Sequence, residues 1–263
     1  MESERSRSVD ASKSGHPDRT SYVTIGIKGV DSLLDNKGVP KGSSVLLLGA
    51  PGSGKTIFSL QYLQAGVAAG ENGVYLSMDE DPERLLANAK QMGVDLAKPV
   101  KEGKIAIVDA SPIRLLPAKI KLGGAEVGGH EFALSTMISS LVDAVKKVGA
   151  TRLVVDPIST LIVHFSDEYT RRIAFLDLIA AASKTKCTTI FVDELNDAQL
   201  QRPHVFEEFL TQGVIVLSKI LAGSTFTRVF SIEKMRGVAH DTQPHPYRIT
   251  EHGIEVFASE QIF

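Results

Sequence analysis

The sequence has one cysteine, Cys187, so it has no second thiol with which to close an internal disulfide. That usage suits a reducing compartment. Cys187 sits beside an apolar, β-rich run at 188–192, which predicts a buried structural thiol. No apolar run approaches the roughly 20 residues of a membrane helix, and the N-terminal segment has no apolar core of a secretory signal. The formal net charge is only −2, so no overall basic field draws the chain to nucleic acid or an anionic membrane. These absences predict a cytoplasmic globular protein with no membrane partner. Nor is there an internal repeat. A chain of 263 residues with 43% hydrophobic and 23% charged residues suits one large α/β domain. Residues 1–20 mix serine with both charge signs and carry little to bury, which predicts a disordered tail before a single domain at 21–263.

What is present is led by Gly49-Ala50-Pro51-Gly52-Ser53-Gly54-Lys55-Thr56, a complete G-x-x-x-x-G-K-[ST] phosphate-binding loop. The apolar run 45–48 before it reads as a buried strand. Ile57, Leu60, Tyr62, Leu63 and Val67 after it mark a helix to about Gly70. In a strand–loop–helix of this kind, backbone N–H groups converge on a phosphate at the positive helix end. Lys55 then reaches the β- and γ-phosphates, and Thr56 turns its hydroxyl to Mg²⁺. Gly49 to Ile57 are therefore the expected nucleotide-binding residues, with ATP and Mg²⁺ as the ligands.

From Ser21 onward, strands and helices alternate. Strands are predicted at 73–77, 104–109, 152–155, 188–192 and 214–217, and helices at 82–92, 132–148 and 171–186. That alternation predicts a mostly parallel sheet covered by helices on both faces. The runs 225–234, 247–250 and 254–257 are short and broken by Gly and Pro, which predicts an antiparallel extension at one edge. The Gly- and Pro-rich stretch between Asp109 and His130 reads as a long functional or mobile loop.

Hydrolysis needs a metal-orienting carboxylate and a water-activating one. Asp156 ends the buried run 153–155, where the first is expected. The strand 74–77 runs into Asp79-Glu80-Asp81-Pro82. Asp81, Pro82 and Glu83 suit a helix N-terminus, which leaves Asp79 and Glu80 as candidates for the second. Lys234 and Arg236 share one side of a predicted edge strand, where cations also serve simply to discourage aggregation. His240, Asp241 and His245 match no metal spacing and read as polar contacts. Lys146-Lys147 and Arg171-Arg172 read as solvated helix faces.

Several separated segments together resemble the KaiC-type ATPases of the RecA superfamily, from about residue 24 to 257. They are Gly26 to Asp31, the phosphate loop, Asp79 to Pro82, Gly93 to Leu96, Glu102 to Lys104 and Asp109 to Pro112. Further on come Asp156, Glu207 to Phe209, Lys234 to Gly237 with His240, and Ile249 to Ile254. The resemblance implies a RecA-like P-loop fold and a hexameric ring of like subunits with ATP at the interfaces. It sets the paired catalytic acids on Asp79 and Glu80. Since the first is one methylene shorter than the family's Glu, Glu80 is the expected water activator. It also implies that Lys234, Met235 and Arg236, with His240 nearby, reach the neighbour's nucleotide in trans, with Thr250 and Glu251 on the same side. Gln91 falls where the family contacts adenine or ribose.

Three departures stand out. The clock members of the family carry two such domains. Their phosphorylated Ser–Thr pair falls on Glu208-Phe209, which leaves autokinase chemistry without an acceptor. Pro157 replaces the usual hydroxyl residue after Asp156. The leading expectation is a slow ring ATPase whose nucleotide state controls a protein partner. The alternatives are a DNA-binding RadA-type recombinase paralogue, whose contact loop would be 196–204, and a nucleotide switch with little turnover.

Overall fold

The computed structural model describes residues 21–111, 119–122, 125–165, 167–195, 202–222, 225–260 and 262. The expected N-terminal tail lies outside them, as do residues 196–201 of the expected DNA loop.

A small antiparallel pair, β1 (Tyr22–Val23) and β2 (Val39–Pro40), opens the described chain. Between them the carboxylate of Asp31 accepts from Ile25 N at 2.7 Å and Gly26 N at 2.8 Å. Its place in the family pattern is therefore a turn clamp. The strands β3 (Ser44–Gly49), β4 (Asn72–Ser77), β5 (Ile105–Asp109), β8 (Ala150–Asp156), β9 (Thr188–Glu194) and β10 (Gly213–Ala222) pair in parallel, in the order β10-β3-β9-β8-β4-β5. Antiparallel strands β11 (Thr225–Met235), β12 (His245–Thr250) and β13 (Gly253–Val256) extend the β10 edge. This is the expected α/β architecture, a mostly parallel sheet with an antiparallel C-terminal extension.

Parallel strands must be covered on both faces. In β3, Val45 and Leu47 enter one core and Leu46 and Leu48 the other. Helices α1 (Lys55–Ala68) and α2 (Pro82–Gln91) supply the first core with Phe58, Leu60, Tyr62, Leu63, Leu85 and Ala89, and the short α3 (Ala97–Lys101) lies beside β5. Helices α4 (Gly129–Val148) and α6 (Glu168–Thr185) supply the second with Leu134, Met137, Leu141, Phe175 and Leu178, joined by the short α5 (Ser159–Ile162) and α7 (Phe206–Leu210). Cys187 is buried, and its thiol reaches Ala150 O at 3.2 Å.

The stretch between Asp109 and His130 departs from the expected loop. A hairpin, β6 (Lys119–Leu122) and β7 (Ala125–Gly128), pairs within it, while residues 112–118 and 123–124 lie outside the described chain. Four-residue strands around Gly123-Gly124 are too short to show a clear alternation in sequence. Among the described residues, no helix is long and apolar enough to cross a membrane.

One buried cation ties β8 to α1 and to the turn before β4. Arg152 on β8 donates from Nε to Glu71 Oε2 at 2.6 Å and from Nη1 to Tyr62 O at 2.8 Å, and its guanidinium lies 4.6 Å from the Tyr62 ring centroid. Truncating it strands both acceptors, although Glu71 is partly exposed and can be rehydrated. We expect Arg152→Ala to lower unfolding stability by roughly 2–3 kcal/mol, below the range for a fully buried pair, as read from urea denaturation midpoints.

Candidate functional site

The carboxyl ends of four neighbouring parallel strands meet at one level. Gly49 pairs with Glu194, and Ser77 with Asp156. Open α/β sheets gather their ligands at this edge. A cavity of about 360 Å³ lies there, lined by Pro51, Gly52, Gly54, Lys55, Thr56 and Ile57 of the loop and helix start, by Tyr75, Ser77, Asp79, Glu80 and Leu85, and by Asp156, Pro157 and Glu194.

The loop keeps its shape through glycine and through the C-terminal extension. Gly54 caps α1 at φ +96°, a region L side chains avoid, and a Cβ there would lie 2.8 Å from Ile249 Cδ1. Ser53 N donates to Ala50 O at 3.1 Å, and Tyr247 OH of β12 donates to Ser53 O at 2.6 Å. Lys55 Nζ donates to Gly49 O at 2.7 Å and Ala50 O at 3.2 Å. Burial lowers its pKa, while Glu194, Asp156 and Asp193 in turn pull it back up.

Asp156 is the centre of the site. Its Oδ2 accepts from Thr56 Oγ1 at 3.0 Å and from the buried hydroxyl of Tyr75. Burial raises its pKa, opposed by the Tyr75 and Thr56 hydrogen bonds and by Lys55. A hydroxyl and a carboxylate side by side are hard oxygen donors of the kind Mg²⁺ takes. Thr56 and Asp156 therefore fit that cation.

The two candidate acids follow β4, whose carboxyl end lies beside Asp156. Asp79 accepts from Thr160 Oγ1 at the start of α5. Glu80 accepts from Asn88 Nδ2 at 2.6 Å and lies 3.2 Å from Arg84 Nε. Asp81 caps α2 through Glu83 N and Arg84 N, as the sequence predicts.

Other expected residues lie elsewhere. Gln91 ends α2, exposed, and does not line the cavity. Lys234, Arg236, His240, Thr250 and Glu251 are also outside the cavity of their own chain. Lys234 Nζ donates to Glu208 O at 2.7 Å and to Thr211 O, and Arg236 is exposed. His240 Nδ1 lies 3.1 Å from Val238 O, Thr250 Oγ1 donates to Gly253 O at 3.1 Å, and Glu251 faces solvent. Strand alternation turns the Met235 side chain inward, buried over Gly213, so any contact it makes with a neighbour would be through its main chain.

Arg202, the one cation of the expected DNA loop, is spent on Glu208 and Glu233, the latter at 2.9 Å, with its side chain buried. Sequence reading missed Tyr75, Glu194 and Tyr247. Glu194 could have been found as the acid ending an apolar strand, just as Asp156 was; the two tyrosines carry no such sign.

The profile of the family described as "ATPase: KaiC" matches residues 23–261. The chain belongs to the KaiC ATPase family. It is 34% identical over 233 residues to the circadian clock oscillator protein KaiC of Synechococcus elongatus, covering 88% of this chain but 43% of that protein. It thus spans less than half of that relative. It is 33% identical over 238 residues to a UPF0273 protein of Pyrococcus horikoshii, covering 90% of this chain and 94% of that one. A crystal structure of a KaiC-like protein from the same archaeon superposes with a TM-score of 0.75 at 32% identity, covering 90% and 98% of the two chains. RecA-like fold and P-loop ATPase membership follow for this KaiC-family chain.

Behind Glu194, two carboxyls of β9 and α7 are buried. Burial, with the Glu207 charge adding, lifts Asp193 to about 7; burial, with Glu208 adding, lifts Glu207 to about 7. Unfolded carboxyls release their protons near pH 4. The folded chain therefore holds more protons between about pH 4 and 7, and these groups' stabilisation is lost as pH rises through that window. Asp193→Asn stays neutral, so its urea midpoint should fall less between pH 5 and 8 than the wild type's. Equal falls would mean that Asp193 is not held protonated.

Proposed function

We propose that this chain binds and hydrolyses ATP, as a ring of like subunits whose nucleotide state controls a protein partner. The observation that carries the reading is the convergence of Lys55, Thr56, Asp156 and the acids Asp79 and Glu80 on one cavity.

Backbone N–H groups of the loop and the Lys55 ammonium bind the β- and γ-phosphates. Thr56 and Asp156 would hold Mg²⁺, which when bound would neutralise charge developing on the phosphoryl oxygens. Glu80, oriented by Asn88 and Arg84, takes the proton of the attacking water. Asp79, tied to Thr160, flanks the same wall.

Charge supports a contribution from a second subunit. Among the residues lining the cavity, Lys55 is the one cation, against Asp79, Glu80, Asp156 and Glu194. A triphosphate is itself a polyanion, so Mg²⁺ and Lys55 leave charge to be offset from outside. Lys234 and Arg236 lie beyond their own cavity, which suits a role at the neighbour's, and His240, Thr250 and Glu251 belong to the same reading. Gln91, exposed and away from the cavity, is assigned no nucleotide contact. DNA binding gains no support, because Arg202 is already paired.

Phosphate release by the wild type and Glu80→Gln is the direct test of the chemistry. We expect a fall of about 100-fold or more in rate, with nucleotide binding retained. An unchanged rate would move the role of base to another residue. For assembly, light scattering with and without ATP and Mg²⁺ should show a ring in the wild type, and Arg236→Ala should lose nucleotide-dependent assembly or turnover. A monomer under every condition would remove the basis for cations in trans.

A further inference from the structure

We infer that Tyr75 is a positioning residue for the metal: its hydroxyl, donated to Asp156 Oδ2, raises the affinity of the site for Mg²⁺ through Asp156. The inference rests on the proposed magnesium–nucleotide reading and deepens it.

Tyr75 lies on β4, directly beside β8, where its register partner Val154 precedes Asp156 by two residues. It is 1% exposed, packed in the core of the α1 face, yet it also lines the cavity. A buried phenol needs an acceptor, and the one it has is the carboxylate oxygen that also accepts from Thr56. The two donors differ in duty. Thr56 would share its oxygen with the cation, whereas the Tyr75 hydroxyl, which interacts with both Asp156 and Thr56, would support the pair without touching the cation. Pro157, the residue after Asp156, has neither an N–H nor a hydroxyl to add. Tyr75 reaches the same carboxylate from the neighbouring strand.

Donors of this kind fix a ligating carboxylate in one orientation and hold it ionised for the metal. Their removal typically weakens metal binding by about 10–100-fold without touching a ligand. Tyr75→Phe keeps the ring and its packing, so the deletion is confined to one oxygen.

The test uses the whole chain loaded with the fluorescent nucleotide mant-ADP, which is not turned over. MgCl₂ is titrated into wild type, Tyr75→Phe, Asp156→Asn and the double variant, and mant-ADP affinity is also measured in EDTA. We expect the Mg²⁺ midpoint of Tyr75→Phe to rise about 10-fold with affinity in EDTA unchanged. In the Asp156→Asn background, Tyr75→Phe should add nothing further. Three results would overturn the inference: an unmoved midpoint, a parallel loss of affinity in EDTA, or an equal effect with and without the Asp156 carboxylate. If the wild type itself binds mant-ADP without any response to Mg²⁺, the magnesium–nucleotide reading fails and takes this inference with it. Should Tyr75→Phe fail to fold, 3-fluorotyrosine placed at position 75 keeps the ring and hydroxyl while making the phenol a stronger donor; the Mg²⁺ midpoint should then fall, and an unmoved midpoint would overturn the inference.

Discussion

Burying the carboxylate of Asp156 is the constraint on which the site depends. An anion in a protein core is costly unless donors surround it. Here one oxygen takes hydroxyls from α1 and from β4, while Asp156 itself ends β8. Three elements are thereby tied at one point. The phosphate loop leads into one of them, so the position of Thr56 cannot drift without unpairing the carboxylate. The same pairing explains why the parallel register matters: it sets Ser77 beside Asp156, and Gly49 beside Glu194, at one level of the sheet.

The antiparallel strands added at the β10 edge support that point from behind. Tyr247 on β12 bonds to the carbonyl of Ser53, and Ile249 and Ile254 close against Gly54. Gln61 of α1 accepts from Ile254 N at 2.7 Å. The extension therefore braces both the loop and the helix it starts. On the other side of the extension, the carbonyls of Glu208 and Thr211 hold the Lys234 ammonium. Residues on one structural unit thus serve the near site through Tyr247 and present Lys234 and Arg236 away from it.

The parallel core, the phosphate loop and Asp156 were legible in the sequence because each is local. A buried run followed by glycines, Lys and Thr needs no knowledge of neighbours. The α2 start was legible for the same reason, since Asp81, Pro82 and Glu83 cap a helix wherever it lies. Tyr75, Glu194 and Tyr247 were not, because their roles depend on which strands lie side by side. The order β3-β9-β8-β4 is set by crossovers, and nothing in the alternation of a single strand records it. The inward turn of the Met235 side chain between Lys234 and Arg236 follows from strand alternation alone. The hairpin of β6 and β7 escaped notice through shortness alone.

The charge around the cavity carries the synthesis one step further. Four carboxylates and one lysine would repel a triphosphate if they acted alone. Two of the carboxylates are already committed, Asp156 to Thr56 and Tyr75, and Asp79 to Thr160. Glu80 is held by Asn88 and Arg84. Glu194 is left as the largest charge acting on Lys55. That charge favours the ammonium form, which the Gly49 and Ala50 carbonyls bind at the loop. Phosphate oxygens arriving at the loop would compete with Glu194 and those carbonyls for the same ammonium.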